Sequence, residues 1–192
     1  VAVKLIQPAM AQNRRFVELF LREGRILSSL SHRAVIGVHD LAIEDGQPYM
    51  VMEYVEGIDL SAWRRKRNAP LPWPAACYVA SEVARGLGAA HRLCRPDAPQ
   101  GIVHGDLSPS NVMLGFDGSV KILDFGLARA SGAELSQSGV HGKLPYLPPE
   151  STTGLALDAK ADIYALGVIL YESITGIHPF QGQNDLDTVH RI

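Results

Sequence analysis

The sequence predicts an α+β fold, and three observations carry that reading. Val1-Ala2-Val3-Lys4-Leu5-Ile6 alternates as a half-buried strand does, and residues 35–38 and 49–54 give two further strand-like runs. Apolar residues at helical spacing mark helices over about 11–30 and 75–93, and residues 60–67 read as a further, basic helix. Val112-Met113-Leu114 and Val120-Lys121-Ile122-Leu123 flank Gly115-Phe116-Asp117-Gly118, whose turn chemistry makes the segment a β-hairpin.

Composition sets the class. Of the 192 residues 46% are apolar and 20% charged, a soluble globular balance able to bury a core. A net charge of −2 gives no reason to expect nucleic-acid or membrane-surface partners. Cys77 and Cys94 are too few for a disulfide framework or a zinc site and read as reduced, cytoplasmic thiols. No apolar run approaches the roughly 18 residues of a membrane span, and no signal peptide opens the chain.

Each element has its own reasons. In the helix from about Ala11 to Leu30, Phe16, Leu19, Phe20, Ile26, Leu27 and Leu30 form the stripe, with Glu23 on its side. Gly24 costs that helix about 1 kcal/mol against Ala, which predicts a loosely held element. The strands at 35–38 and 49–54 turn at Glu44-Asp45-Gly46. Arg64-Arg65-Lys66-Arg67 is read as a solvated helix face, with a docking patch as the rival. Pro74 belongs in the first turn of the helix over 75–93, and residues 95–101 form an irregular linker. Ser131 to Gly142, rich in Ser and Gly, reads as a mobile segment.

Chemistry concentrates between His104 and Gly126. A hairpin returns its ends to one place, here Asn111 and Asp124, with Asp106 on the approach loop. Two hard oxygen ligands converge, which suits Mg²⁺.

This segment, HGDLSPSNVMLGFDGSVKILDFG, resembles the catalytic loop, metal-binding loop and DFG element of the eukaryotic-like (Hanks-type) serine/threonine protein kinases. The resemblance implies a protein-kinase-like two-lobed fold, with residues 1–55 as N-lobe part and hinge and 56–192 as C-lobe part. It implies transfer of the ATP γ-phosphate to Ser or Thr hydroxyls of proteins, with Asp106 as catalytic base and Asn111 and Asp124 holding Mg²⁺. Lys4 would grip the α- and β-phosphates and pair with Glu23. Ala2, Met52 as gatekeeper, the backbones of Glu53 and Val55, Met113, and Asp59 on the ribose would complete the nucleotide site. Residues 158–175 resemble the family's buried helix, to which Asp162 would tie the catalytic loop; Gly176 would end it, His178-Pro179-Phe180 follows, and a last helix would close this stretch. Gly142 to Glu150 resembles the family's G-T-x-x-Y-x-A-P-E, whose Glu normally pairs with a late arginine for which the chain shows no candidate.

Two departures bear on mechanism. Gly105 stands where many kinases have the Arg that reads a phosphorylated activation loop, so control through Ser136 or Ser138 is not expected. Ser108 stands where the family has Lys, and Lys143 where it has Thr, which suggests that the phosphate-neutralising charge has moved between them. The pairing of Ser108 with Lys143 is similar to a bacterial branch of the family. Two rivals stay open. Small-molecule phosphotransferases of the aminoglycoside and choline type share His-Gly-Asp-Leu, and a pseudokinase would use the same fold as a scaffold. The resemblance also implies that two strands with a Gly-rich phosphate loop and the last helices lie outside this stretch, as would any membrane anchor. Residues 1–192 alone are therefore expected to bind ATP weakly.

Overall fold

The computed structural model describes residues 1–7, 11–94, 101–125, 144–152 and 157–192. Two three-stranded antiparallel sheets and five helices organise them. In the first sheet the order is β1 (Ala2–Leu5), β3 (Gln47–Met52), β2 (Val38–Glu44). Its register sets Ala2 opposite Met52 and Lys4 opposite Met50. Asp45 and Gly46, both at positive φ, make the tight β2–β3 turn where the sequence placed it.

The strand expected at 35–38 is corrected. Only Val38 belongs to β2, and Ala34-Val35-Ile36 runs beside β6 instead. Ile36 N–H donates to Ile122 O at 2.9 Å and Ile122 N–H to Ala34 O at 2.8 Å. Ala34, Val35 and Ile36 are all buried. A short apolar run is compatible with a strand or a buried connector, and only the partner decides.

Helix α1 (Arg14–Ser29) is capped by Asn13, whose side chain accepts from Arg15 N–H at 3.0 Å. A Cβ at Gly24 would lie 2.7 Å from Leu41 Cδ1 and 3.0 Å from Met50 Cε. The residue that weakens the helix in isolation is where it seats against the sheet.

Helix α2 (Leu60–Arg67) starts at the Asp59 cap, which accepts from Ala62 N–H at 2.7 Å, and ends at Asn68 in a left-handed turn. Helix α3 (Trp73–His91) begins two residues before the expected start, with proline in its first turn. It packs against helix α4 (Ala159–Thr175), which Asp158 caps and Gly176 ends at φ 75°. Helix α5 (Asp185–Arg191) closes the chain behind its Asn184 cap. No described helix is long and apolar enough to cross a membrane.

The second sheet runs β4 (Gly57–Asp59), β5 (Val112–Gly115), β6 (Val120–Ile122). Leu123, expected in the strand, lies just beyond β6, yet its N–H still donates to Asn111 O at 2.9 Å. The hairpin therefore returns Asn111 beside the start of the Asp-Phe-Gly sequence. Leu27, Met50, Leu60, Leu87, Ile122 and Phe125 are fully buried and form one continuous core that spans both sheets and the helices.

One expectation about surface charge is also corrected. Arg64 does not belong to a solvated face: its Nη1 lies 2.6 Å from Glu172 Oε1, and Tyr146 Oη donates to Glu172 Oε2 at 2.6 Å. Burial first, and the bond to Glu172 second, push the Tyr146 phenol far above its ordinary value, so it stays a donor. Glu172 is buried in α4 and would be unpaired without these partners. Arg65, Lys66 and Arg67 remain exposed, as expected.

Candidate active site

The loop before the hairpin is set by two buried side chains. His104 is fully buried, and its Nδ1 accepts from Asp106 N–H at 3.2 Å. The proton therefore sits on Nε2, which donates to Leu123 O at 3.0 Å. Asp162, on α4 and 1% exposed, accepts from His104 N–H and Gly105 N–H, both at 2.8 Å. Its Oδ2 also meets His91 Nε2 at 2.7 Å, a contact the sequence reading missed. Gly105 has φ 70°, a conformation that costs an ordinary residue roughly 1–2 kcal/mol and glycine almost nothing.

The metal-ligand candidates follow from this frame. Asn111 Nδ2 donates to Asp106 O at 2.9 Å, which orients the amide and leaves Oδ1 as its outward acceptor. Asp124 adopts φ 36°, a strained value for a non-glycine residue, and its side chain is 45% exposed. A carboxylate and an amide oxygen, both hard, fit Mg²⁺. Ser108 is buried, with Oγ 3.0 Å from Ser110 Oγ, so that position carries no charge toward Asp106.

Lys4 closes the site from the other sheet. Its Nζ lies 2.7 Å from Asp124 Oδ1 and 3.0 Å from Glu23 Oε1. Burial would lower the Lys4 pKa, but Asp124 and then Glu23 outweigh it and hold the ammonium above its ordinary value. Glu23 is raised too, because burial and the Asp124 and Asp106 carboxylates outweigh the pull of Lys4. The two halves of the pair thus balance differently: Lys4 is shared, and Asp124 is nearer.

A carboxyl whose pKa folding raises stabilises the fold while protonated, and that contribution is lost as pH rises through the raised value. Lys4, also raised, keeps its contribution through neutral pH and loses it only in strongly alkaline solution. The Lys4–Glu23 pair, by contrast, needs Glu23 ionised. Nucleotide affinity measured against pH is expected to show an acid limb above the ordinary carboxylate range. Glu23→Gln should remove that limb, and a limb unchanged by the substitution would contradict the assignment.

Four of the remaining candidates fall in two facing pairs. Ala2 lies opposite Met52 in the first sheet and Asp59 opposite Met113 in the second. Glu53 and Val55 occupy the segment that links β3 to β4. The Asp59 carboxylate is engaged through Oδ1 in capping α2, so one oxygen faces elsewhere. Lys143 and most of the activation segment, with Ser136 and Ser138, lie outside the described residues.

A small sheet whose lysine meets a helix-borne glutamate, set over a loop with Asp, Asn and Asp, defines a protein-kinase-like fold. Comparison agrees, and the chain belongs to the protein kinase domain family, which matches residues 1–192. It is 37% identical over 198 residues to the tyrosine-protein kinase MasK of Myxococcus xanthus, covering 100% of the chain and 31% of MasK. It is 36% identical over 193 residues to the serine/threonine-protein kinase PknL of Mycobacterium tuberculosis, covering 100% of the chain and 46% of PknL. It is also 36% identical over 186 residues to the serine/threonine-protein kinase PrkC of Bacillus subtilis, covering 96% of the chain and 28% of PrkC. The chain thus spans less than half the length of these relatives. Among solved structures, the Mycobacterium tuberculosis PknI kinase domain superposes with a TM-score of 0.70 at 31% identity, covering 92% of this chain and 64% of that one.

Proposed function

We propose that this chain is part of a bacterial serine/threonine protein kinase, with residues 1–55 on one side of the nucleotide and 56–192 on the other. The observation that supports it most is the convergence of Lys4, Glu23 and Asp124 from three separate segments, 2.7 and 3.0 Å apart at Lys4. Lys4 holds the α- and β-phosphates of ATP, and Glu23 fixes Lys4. Asn111 and Asp124 hold Mg²⁺, which when bound neutralises phosphate charge. Asp106 orients the acceptor hydroxyl and takes its proton as the oxygen bonds to the γ-phosphorus and ADP leaves. Ala2, Met52, Glu53, Val55 and Met113 line the adenine, and Asp59 faces the ribose. The acceptors are protein Ser or Thr residues in the cytoplasm. The proline in Asp106-Leu107-Ser108-Pro109-Ser110-Asn111 favours them over Tyr, and the PknL and PrkC likenesses support the same choice.

The test follows phosphate from labelled ATP with Mg²⁺ in the full-length protein, offering a generic protein substrate and, separately, an aminoglycoside. Label on Ser or Thr is expected. Label on Tyr alone would move the acceptor class, label on the aminoglycoside would move the enzyme class, and ATP binding without transfer would make it a pseudokinase.

Lys143 is proposed to supply the cation that Ser108 lacks, stabilising the transferring phosphoryl group. In the same assay Lys143→Met is expected to lower turnover about 10²-fold with protein-substrate KM unchanged. Unchanged turnover would remove Lys143 from the site.

A further inference from the structure

Glu53 enters the nucleotide site through its backbone, yet its side chain is the centre of a separate arrangement. Glu53 N–H donates to Gly37 O at 2.8 Å, and Gly37 N–H donates back to Glu53 Oε2 at 3.2 Å. Lys121 Nζ lies 2.8 Å from the same carboxylate. The Lys121 side chain is only 14% exposed, and that of Glu53 34%, so the pair is shielded from much of the solvent that weakens surface pairs. One carboxylate thereby joins the approach to β2, the segment after β3 and the middle strand position of β6.

Where Lys121 stands gives the arrangement its meaning. Lys121 is directly opposite Met113 across the hairpin, so the two side chains share a face. Met113 is assigned to the adenine, and Lys121, its cross-strand partner, reaches with its ammonium to Glu53 on the side lined by Val35, Gly37 and Val38. The Glu53 N–H is spent on Gly37, which leaves its carbonyl and the Val55 N–H for the adenine edge. Their direction depends on how the segment 53–55 is held: the Glu53 side chain ties its start to the hairpin, and the bond from Phe116 N–H to Glu56 O at 2.9 Å ties the residue just after it. Next to it, Ala34 and Ile36 are bonded to Ile122, so the anchor on the hairpin side is itself fixed.

We infer that Lys121 and the Glu53 carboxylate are positioning residues that set the adenine-binding edge of the hinge. This rests on the nucleotide site proposed above. In that reading the pair acts on the adenine edge and Lys4 on the phosphates, so loss of the pair should be felt equally by ATP and by adenosine, whereas loss of Lys4 should be felt by ATP alone.

The experiment measures ATP and adenosine affinity of the full-length protein by calorimetry, with melting temperatures recorded alongside. Lys121→Met is expected to weaken both ligands about tenfold, or about 1.4 kcal/mol, and Lys121→Arg to restore most of the loss. Glu53→Gln, which retains an acceptor for Gly37, should weaken both similarly and add nothing further in the double variant. It serves as the test if Lys121→Met does not fold. Lys4→Met should weaken ATP and leave adenosine unchanged. Adenosine affinity within twofold of the unsubstituted protein in both Lys121→Met and Glu53→Gln would overturn the inference alone. Failure of the unsubstituted protein to bind either ligand would overturn the kinase reading and this inference with it.

Discussion

Asp106→Asn in the full-length protein is expected to lower kcat by about 10²–10⁴-fold, the usual contribution of a positioned general base, with ATP affinity unchanged. The substitution replaces a proton acceptor by an amide of the same shape. What holds the residue in place is backbone: its N–H donates to His104 Nδ1 and its carbonyl accepts from Asn111 Nδ2. Both bonds survive the change, so the loss should fall on chemistry rather than on folding. Steady-state kinetics with a protein substrate, together with nucleotide affinity and a thermal melt, separates the two. A kcat within tenfold of the unsubstituted enzyme would remove Asp106 from the role.

Asp162→Ala is expected to cost folding stability on the order of 3 kcal/mol or more, and activity with it. The carboxylate is 1% exposed and serves His104 N–H, Gly105 N–H and His91 together. Alanine would leave two backbone N–H groups buried without acceptors, each costing about 1–3 kcal/mol, and His91 without its partner. His104 and Gly105 directly precede Asp106, so the catalytic loop loses its anchor even where the fold survives. Gly105 adopts φ 70° without the steric cost a Cβ would bring, but its backbone is the freest of any residue, so it too depends on the Asp162 bond. Denaturant unfolding of Asp162→Ala and of Asp162→Asn, which keeps one acceptor oxygen, should rank the two with Ala well below Asn. A loss under about 1 kcal/mol for Ala would show that water replaces the carboxylate.

The regulation implied by Gly105 has a structural side. Without an arginine at that position the loop has no cation there to read a phosphorylated activation segment, while Asp162 and His104 already hold it in place. The loop from His104 to Asp106 is thus organised by contacts among the described residues.

Much of this molecule was written into local sequence. The hairpin of β5 and β6 and the turn at Asp45-Gly46 follow from turn chemistry, and α1 and α3 from short-range periodicity. Those signals need only neighbouring residues, so they survive without any knowledge of the fold. The candidate site was legible for a different reason, since Asp106, Asn111 and Asp124 sit in a recognisable pattern along one hairpin. Tertiary structure alone decided where isolated polar side chains go. Arg64 looked solvated and instead neutralises a glutamate in α4, and Glu53 looked like a backbone contributor and instead binds Lys121. It also turned Ala34-Val35-Ile36 from an expected strand into a connector bonded to β6. In each case the deciding partner is distant in sequence. Helical or strand periodicity tells which side of an element is apolar, but the charge that meets a carboxylate is fixed only when two elements pack.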